Sequence, residues 1–277
     1  MVNFDGTCYT KLSEVPEYSL KRFFELPIHK HHLLVFRKQI LQLEAHYFSI
    51  MAALRRSRIV IPMEYTLEYF QEQVNLIYAN QKEGDDFSII ALSFHRKENP
   101  TELLPVSEVG FCMQIRNTDW KTNPISLTLY KDYPILADAY SNLYQTNEPL
   151  RKLAEVFAYE NDYGACLLLN NEKKIVESSH GTLFLMVDDK VFTPTLSSGT
   201  VHSVSRTALI NFIKKNTNYE IVEDDIAVFA LQRAAELFLF SYKFGLTKVG
   251  QFRKKEYTTV RSLAIEESFF NYLKNQL

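Results

Sequence analysis

Four short apolar runs follow one another closely in the second half of the chain: ACLLLN (165–170), KKIVES (173–178), TLFLMV (182–187) and VFTP (191–194). Runs of this length, bounded by polar turn formers, read as strands and commit this region to a sheet. Helical patterns surround them. One spans about Asn147 to Asn161, a capped one runs from Ser205 to Asn216, and an amphipathic one starts near Arg261 beyond the strand AELFLFSY (235–242). Closely spaced strands mixed with helices indicate an α/β domain over residues 135–277.

The first half reads differently. Val35 to Leu43 reads as a strand and Glu44 to Arg58 as an amphipathic helix stopped by an apolar run and Pro62. Thr66 is placed to cap a helix running to about Gln81. Strand patterns at Phe87 to His95 and Val109 to Ile115 flank a polar, proline-bearing loop at Arg96 to Pro105. Residues 1–117 therefore form an α+β domain. The stretch 118–134, with two prolines, several turn formers and one short strand pattern, reads as an interdomain connection.

Bulk properties narrow the partners. A net charge of −2 over 277 residues gives no electrostatic reason to expect nucleic acid or an anionic membrane. No window approaches the roughly 18 uninterrupted apolar residues of a membrane helix. Cys8, Cys112 and Cys166 are far apart and odd in number, which argues against a disulfide framework or a zinc knuckle and fits a reducing cytoplasm. His29, His31 and His32 crowd together, but without a carboxylate cluster nearby they read as loop or surface histidines rather than a metal site. Eight glycines are few for this length, so loops that bring backbone close to a ligand are poorly served.

From Ala165 to Gly250 the order of parts is specific: strand, turn, strand ending in Glu177, short loop, strand, Thr-Pro turn, then a polar turn into a helix. This resembles the C-terminal half of class IV aminotransferases, the pyridoxal phosphate (PLP) fold of branched-chain aminotransferases and aminodeoxychorismate lyases. EAHYFSIMAALRRSRIVIPMEYT (44–66) resembles, more weakly, a helix of their N-terminal domain. The likeness implies a two-domain α/β (α+β) fold of the D-amino-acid-aminotransferase type, fold type IV. It also implies a homodimer acting on a small amino acid with PLP.

Carried over residue by residue, the resemblance puts Tyr144, in SNLYQTNEPL (141–150), where the family has the lysine that condenses with the cofactor aldehyde. A phenol forms no imine, though with its proton it is a conceivable acid or base. Lys131 lies upstream of this position and Lys152 within the helix beyond it, and both read as solvated surface lysines. Glu177 matches the carboxylate that pairs with the protonated pyridine nitrogen. Val204 and Ser205, in the turn Ser203-Val204-Ser205-Arg206, and Ser241 match the phosphate contacts, with Ser205 also a candidate helix cap. The family's phosphate-contacting arginine falls at Ser49, and Arg55, Arg56 and Arg58 read as a solvated face. A glycine-containing active-site stretch is replaced by RFFELPIHKHHLL (22–34). These departures gather at the cofactor site while packing positions are kept. The expectation is a catalytically degenerate member of the family. The alternative is an active, divergent aminotransferase or lyase that holds PLP noncovalently.

Overall fold

The computed structural model describes residues 1–25, 27–79, 87–97, 108–118 and 120–276. The chain divides into two compact units, Met1–Thr118 with Gln276–Leu277, and Asp119–Asn275.

The first unit holds strands β1 (Val2–Phe4), β2 (Thr7–Tyr9), β3 (Pro27–Phe36), β4 (Gln39–Ile40), β5 (Ser88–Arg96) and β6 (Val109–Asn117). They form one antiparallel sheet in the order β2-β1-β6-β5-β3-β4. Helices α1 (Glu17–Glu25), α2 (Leu43–Arg56) and α3 (Leu67–Tyr78) complete it. The cap expected at Thr66 is present, its hydroxyl accepting the Tyr69 N–H at 3.2 Å. The expected end near Gln81 lies outside the described residues, as does most of the loop expected at Arg96 to Pro105.

Two readings of this unit need correction. The strand expected over Val35 to Leu43 is the end of β3, a two-residue turn, the short β4 and the first residue of α2. Arg37 and Lys38 make that turn with φ of 48° and 62°, the left-handed pair a tight hairpin requires, but without the Asn-Gly signal that announces it. The histidines are likewise not in a loop. His29, His31 and His32 lie on β3, paired with β5, and His29 is buried. Leu33 to Phe36 continue that strand into the core, with Leu33 and Val35 among the residues packed with Ile50, Leu54 and Phe70.

The second unit holds β7 (Ile125–Ile135), α4 (Glu148–Glu160), β8 (Ala165–Asn170), β9 (Lys174–Ser178), β10 (Thr182–Val187), β11 (Lys190–Pro194), α5 (Val204–Asn216), β12 (Glu220–Asp224), β13 (Ile226–Ala227), β14 (Glu236–Ser241), β15 (Gly245–Phe252), β16 (Lys255–Glu256) and α6 (Val260–Lys274). Its ten-stranded sheet runs β12-β11-β10-β14-β15-β7-β8-β9-β13, with β16 on β15. The pairs β7–β8, β7–β15 and β11–β12 are parallel, and the remaining pairs are antiparallel.

The one short strand pattern read within the connection is the strand at residues 125–135, and it lies between β15 and β8 inside the second unit's sheet. Ile125, Leu127 and Leu129 alternate into the core, and the prolines sit where they cost little. Pro124 precedes the strand, and Pro134 lies where the β7–β8 register shifts, between Tyr130 and Ile135. Leu167, Leu168, Leu183, Leu185, Leu237 and Leu239 are fully or almost fully buried. Both faces of the sheet are therefore covered, which is why these strands read as continuous apolar runs.

Candidate functional site

Helix α4 carries the first part of the site. Pro149 in its first turn is preset for a helix, and Arg151, Ala154 and Ala158 form its buried stripe. A charged residue on that stripe needs a partner. Arg151 finds one on β9: its Nε donates to Glu177 Oε1 at 2.7 Å, with both side chains about 95% buried. The same guanidinium donates through Nη1 to the Tyr144 carbonyl and sits 4.8 Å from the centre of the Tyr144 ring.

Tyr144, the Arg151 guanidinium and Glu177 are therefore one cluster. Burial pushes the Glu177 carboxyl up, opposed by Arg151 and by the Val201 N–H that it accepts. Burial also pushes the Tyr144 phenol up to about 12; Arg151 opposes this, and the carboxylates of Glu148, Glu155 and Glu177 add to it. A phenol held there is protonated throughout the physiological range. Asn142 ties the segment in place, its side-chain amide donating to the Leu196 and Thr200 carbonyls at 2.9 and 2.7 Å.

The turn into α5 supplies a second part. Val204 and Ser205 are buried in its first turn, where N–H groups have no intrahelical acceptors. The cap is Ser203, not Ser205: its Oγ accepts the Arg206 N–H at 3.1 Å, and Ser205 hydrogen-bonds to that same hydroxyl at 3.0 Å. Extended φ and ψ at Ser203 make it the cap, two residues earlier than the spacing suggested. Arg206 is buried and serves the fold, donating to Glu223 at 2.6 Å and to the Pro194 carbonyl at 2.8 Å.

Ser241 ends β14. Its hydroxyl donates to the His180 carbonyl at 2.8 Å and accepts the Phe244 N–H at 3.2 Å. The His180 ring stacks on Phe244 with centroids 4.1 Å apart, and burial with the charges of Lys121 and Lys243 brings its pKa down to about 4. Gly181, between β9 and β10, has φ of 137° and lies against the Phe240 carbonyl, an approach that only glycine allows.

Within the second unit, Lys131 and Lys152 make no contact with this cluster among the described residues. Lys152 points from α4 to solvent, 65% exposed and 3.4 Å from Glu148, while Lys131 is an exposed residue of β7. In the first unit, described by itself, Ser49 is half-buried on α2 and Arg55, Arg56 and Arg58 are exposed. Arg151 is the residue that reading the sequence missed. Its signal was there: it falls with Ala154 and Ala158 on the apolar stripe of an amphipathic helix, where a lone charge implies a buried partner.

Comparison with known proteins bears on the whole chain. Residues 32–252 match the family model for amino-transferase class IV. A probable branched-chain-amino-acid aminotransferase of Aquifex aeolicus (strain VF5) is 25% identical over 129 residues, a match spanning 45% of this chain and only 42% of that relative. The branched-chain amino acid aminotransferase of Thermobaculum terrenum in its PLP form superposes with a TM-score of 0.85 at 15% identity, covering 100% of this chain and 94% of that one. A putative 4-amino-4-deoxychorismate lyase of Legionella pneumophila gives 0.78 at 17% identity, covering 92% and 93%. The fold is thus the mixed α/β, fold type IV architecture of these enzymes. With more than half of its length matched by the family model, the chain belongs to the amino-transferase class IV family.

Proposed function

We propose that this chain is a catalytically degenerate class IV amino-transferase, which keeps the fold without the covalent cofactor chemistry. One observation carries the reading: Tyr144, which the resemblance puts at the lysine position, packs under a guanidinium that is already paired with Glu177. PLP, when bound to a lysine, supplies an electron sink for chemistry at an amino acid's α-carbon. The residues here do not fit that arrangement.

Three features support this. A phenol offers no amine, and with its pKa pushed to about 12 Tyr144 is not a base at neutral pH. A pyridine nitrogen would have to displace Arg151 from Glu177, leaving a buried guanidinium without its carboxylate, which is strongly unfavourable. The Ser241 hydroxyl proton is spent on the His180 carbonyl, and so is not offered to a phosphate.

What remains is the start of α5, where backbone donors and the helix dipole favour an anion. This reading makes the chain a cytosolic homodimer, consistent with its cysteines being free thiols, that binds a small amino acid or a PLP-like ligand noncovalently or acts through its surfaces. The retained Glu177 and the α5 turn favour one competing reading, an active aminotransferase or lyase that holds PLP noncovalently. Incubating the purified protein with PLP and either a panel of amino acids or aminodeoxychorismate, and measuring pyridoxamine phosphate in the first case and pyruvate in the second, separates the two. The degenerate reading predicts no formation above the protein-free background, and turnover above it would overturn that reading.

A further inference from the structure

We propose that a groove on the Asp119–Asn275 unit is a binding site for a ring-bearing polyanion of the nucleoside polyphosphate class. The groove encloses about 790 Å³, within the range of roughly 300–1,000 Å³ of small-molecule sites. Its lining includes four cations, Lys131, Lys173, Lys174 and Arg253, against a single acid, Glu172. Among the described residues none of the four is in an ion pair, whereas other lysines and arginines of this unit, such as Lys190 and Lys243, are. Unpaired cations converging on one concavity raise the local concentration of anions.

The groove also offers aromatic faces. Phe229 and Tyr133 line it and are 71% and 58% exposed. Two large aromatic side chains left in water beside a concave surface cost hydrophobic free energy unless something covers them. A planar ring stacked on them would recover that area, while phosphates on the same molecule would meet the cations.

The backbone presents these groups from fixed positions. The β8–β9 turn is held by Asn170, whose Oδ1 accepts the Glu172 and Lys174 N–H groups at 3.0 Å each and whose Nδ2 donates to the Ser198 carbonyl at 3.1 Å. Lys173, at φ of 59°, is the left-handed residue of that turn. Lys131 and Tyr133 lie where the β7–β8 register shifts, between Tyr130 and Ile135, a ladder irregularity of the kind that re-aims side chains at sites. Arg253, left-handed at φ of 55°, has its guanidinium 5.2 Å from the centre of the Phe252 ring. Leu129 and Leu169 add apolar lining between the cations.

The same charges argue against a second copy of the chain as the occupant. A two-fold contact centred here would bring four cations against four others. A site of ligand size, rather than cations strung along a free sheet edge, also favours a compact molecule over an acidic peptide.

Calorimetric titration of the full chain with ATP tests this, with inorganic tripolyphosphate and adenosine as the charge-only and ring-only probes. We expect saturable ATP binding that weakens with salt and is tighter than that of either fragment. The double variant Lys131→Ala/Arg253→Ala should lose about tenfold or more in ATP affinity, as loss of charge-assisted contacts implies. Phe229→Ala should weaken ATP but not tripolyphosphate. All three positions are exposed, and circular dichroism verifies that the variants keep the fold. Absence of ATP binding overturns the proposal. So does tripolyphosphate binding as tightly as ATP with Phe229→Ala silent, or an oligomer that Phe229→Glu dissociates. None of these outcomes depends on whether Tyr144 supports cofactor chemistry.

Discussion

Arg151 donates to Glu177 at 2.7 Å from one helical turn into α4, and the two side chains bury each other's charge. Removing one partner leaves the other stranded. Arg151→Met should cost about 3–5 kcal/mol in urea denaturation, and adding Glu177→Leu should return most of it, since a buried pair replaced by apolar groups is often neutral. A loss below about 1 kcal/mol for Arg151→Met would contradict the buried pairing.

The same variant carries a pH signature. Burial raises the Glu177 carboxyl and Arg151 lowers it, so losing Arg151 raises it further. A carboxyl raised above its unfolded value binds its proton more tightly when folded, which stabilises the fold relatively more as pH falls. The deficit of Arg151→Met relative to the native chain should therefore shrink on acidification from neutral pH. A deficit that is constant with pH would show that Glu177 does not titrate in this environment.

In the first unit His46 is buried at 1% exposure, with its Nδ1 2.7 Å from Nε2 of His31. Burial pushes His46 down to about 3 from an ordinary 6.5. The group is neutral when folded and charged when unfolded in mild acid. Its stabilising contribution is complete above about pH 6.5 and is lost toward about pH 3. The slope is about 1.4 kcal/mol per pH unit. His46→Phe should flatten the pH dependence of this unit's unfolding by one proton, and an unchanged slope would contradict the burial.

Gly181 sits where a Cβ would stand 2.4 Å from the Phe240 carbonyl oxygen, on backbone at φ of 137°. Gly181→Ala should lower stability by more than about 2 kcal/mol, through strain and displacement of β14 together. A melting temperature within a degree or two of the native protein would mean that the β9–β10 turn relaxes freely.

How much of this was legible in the sequence varies with the physics of each part. The strands β8, β9, β10, β11 and β14 were found within a residue or two, because burial on both faces leaves unbroken apolar runs. Helix α4 was found from its periodicity, and Thr66 from cap chemistry. The Arg37–Lys38 hairpin was invisible because neither residue type advertises a left-handed conformation. β7 showed only as one short strand pattern and was assigned to the connection, because Pro124 flanks the strand and Pro134 sits at its irregularity. At the candidate site, Tyr144 and Glu177 were picked out by resemblance alone. Arg151, a long-range partner 26 residues from Glu177, required the fold to bring α4 against β9. Ser205 was given the cap that Ser203, two residues earlier, provides, because backbone angles decide between nearby serines and composition does not.

The pairing also predicts how the site would respond to repair. Tyr144→Lys alone restores an amine but leaves Glu177 committed to Arg151, so it should gain at most a weak, nonstoichiometric PLP adduct. Tyr144→Lys with Arg151→Met should gain more, provided the double variant retains native-like circular dichroism. If the single variant reacts stoichiometrically, Arg151 is not what closes the carboxylate to a ligand.

The most direct measurement is made on the native chain: PLP in excess, borohydride reduction, and peptide mass mapping of any modified lysine. The account predicts no single lysine modified at one equivalent per chain. A stoichiometric adduct on one lysine of the Asp119–Asn275 unit would contradict it.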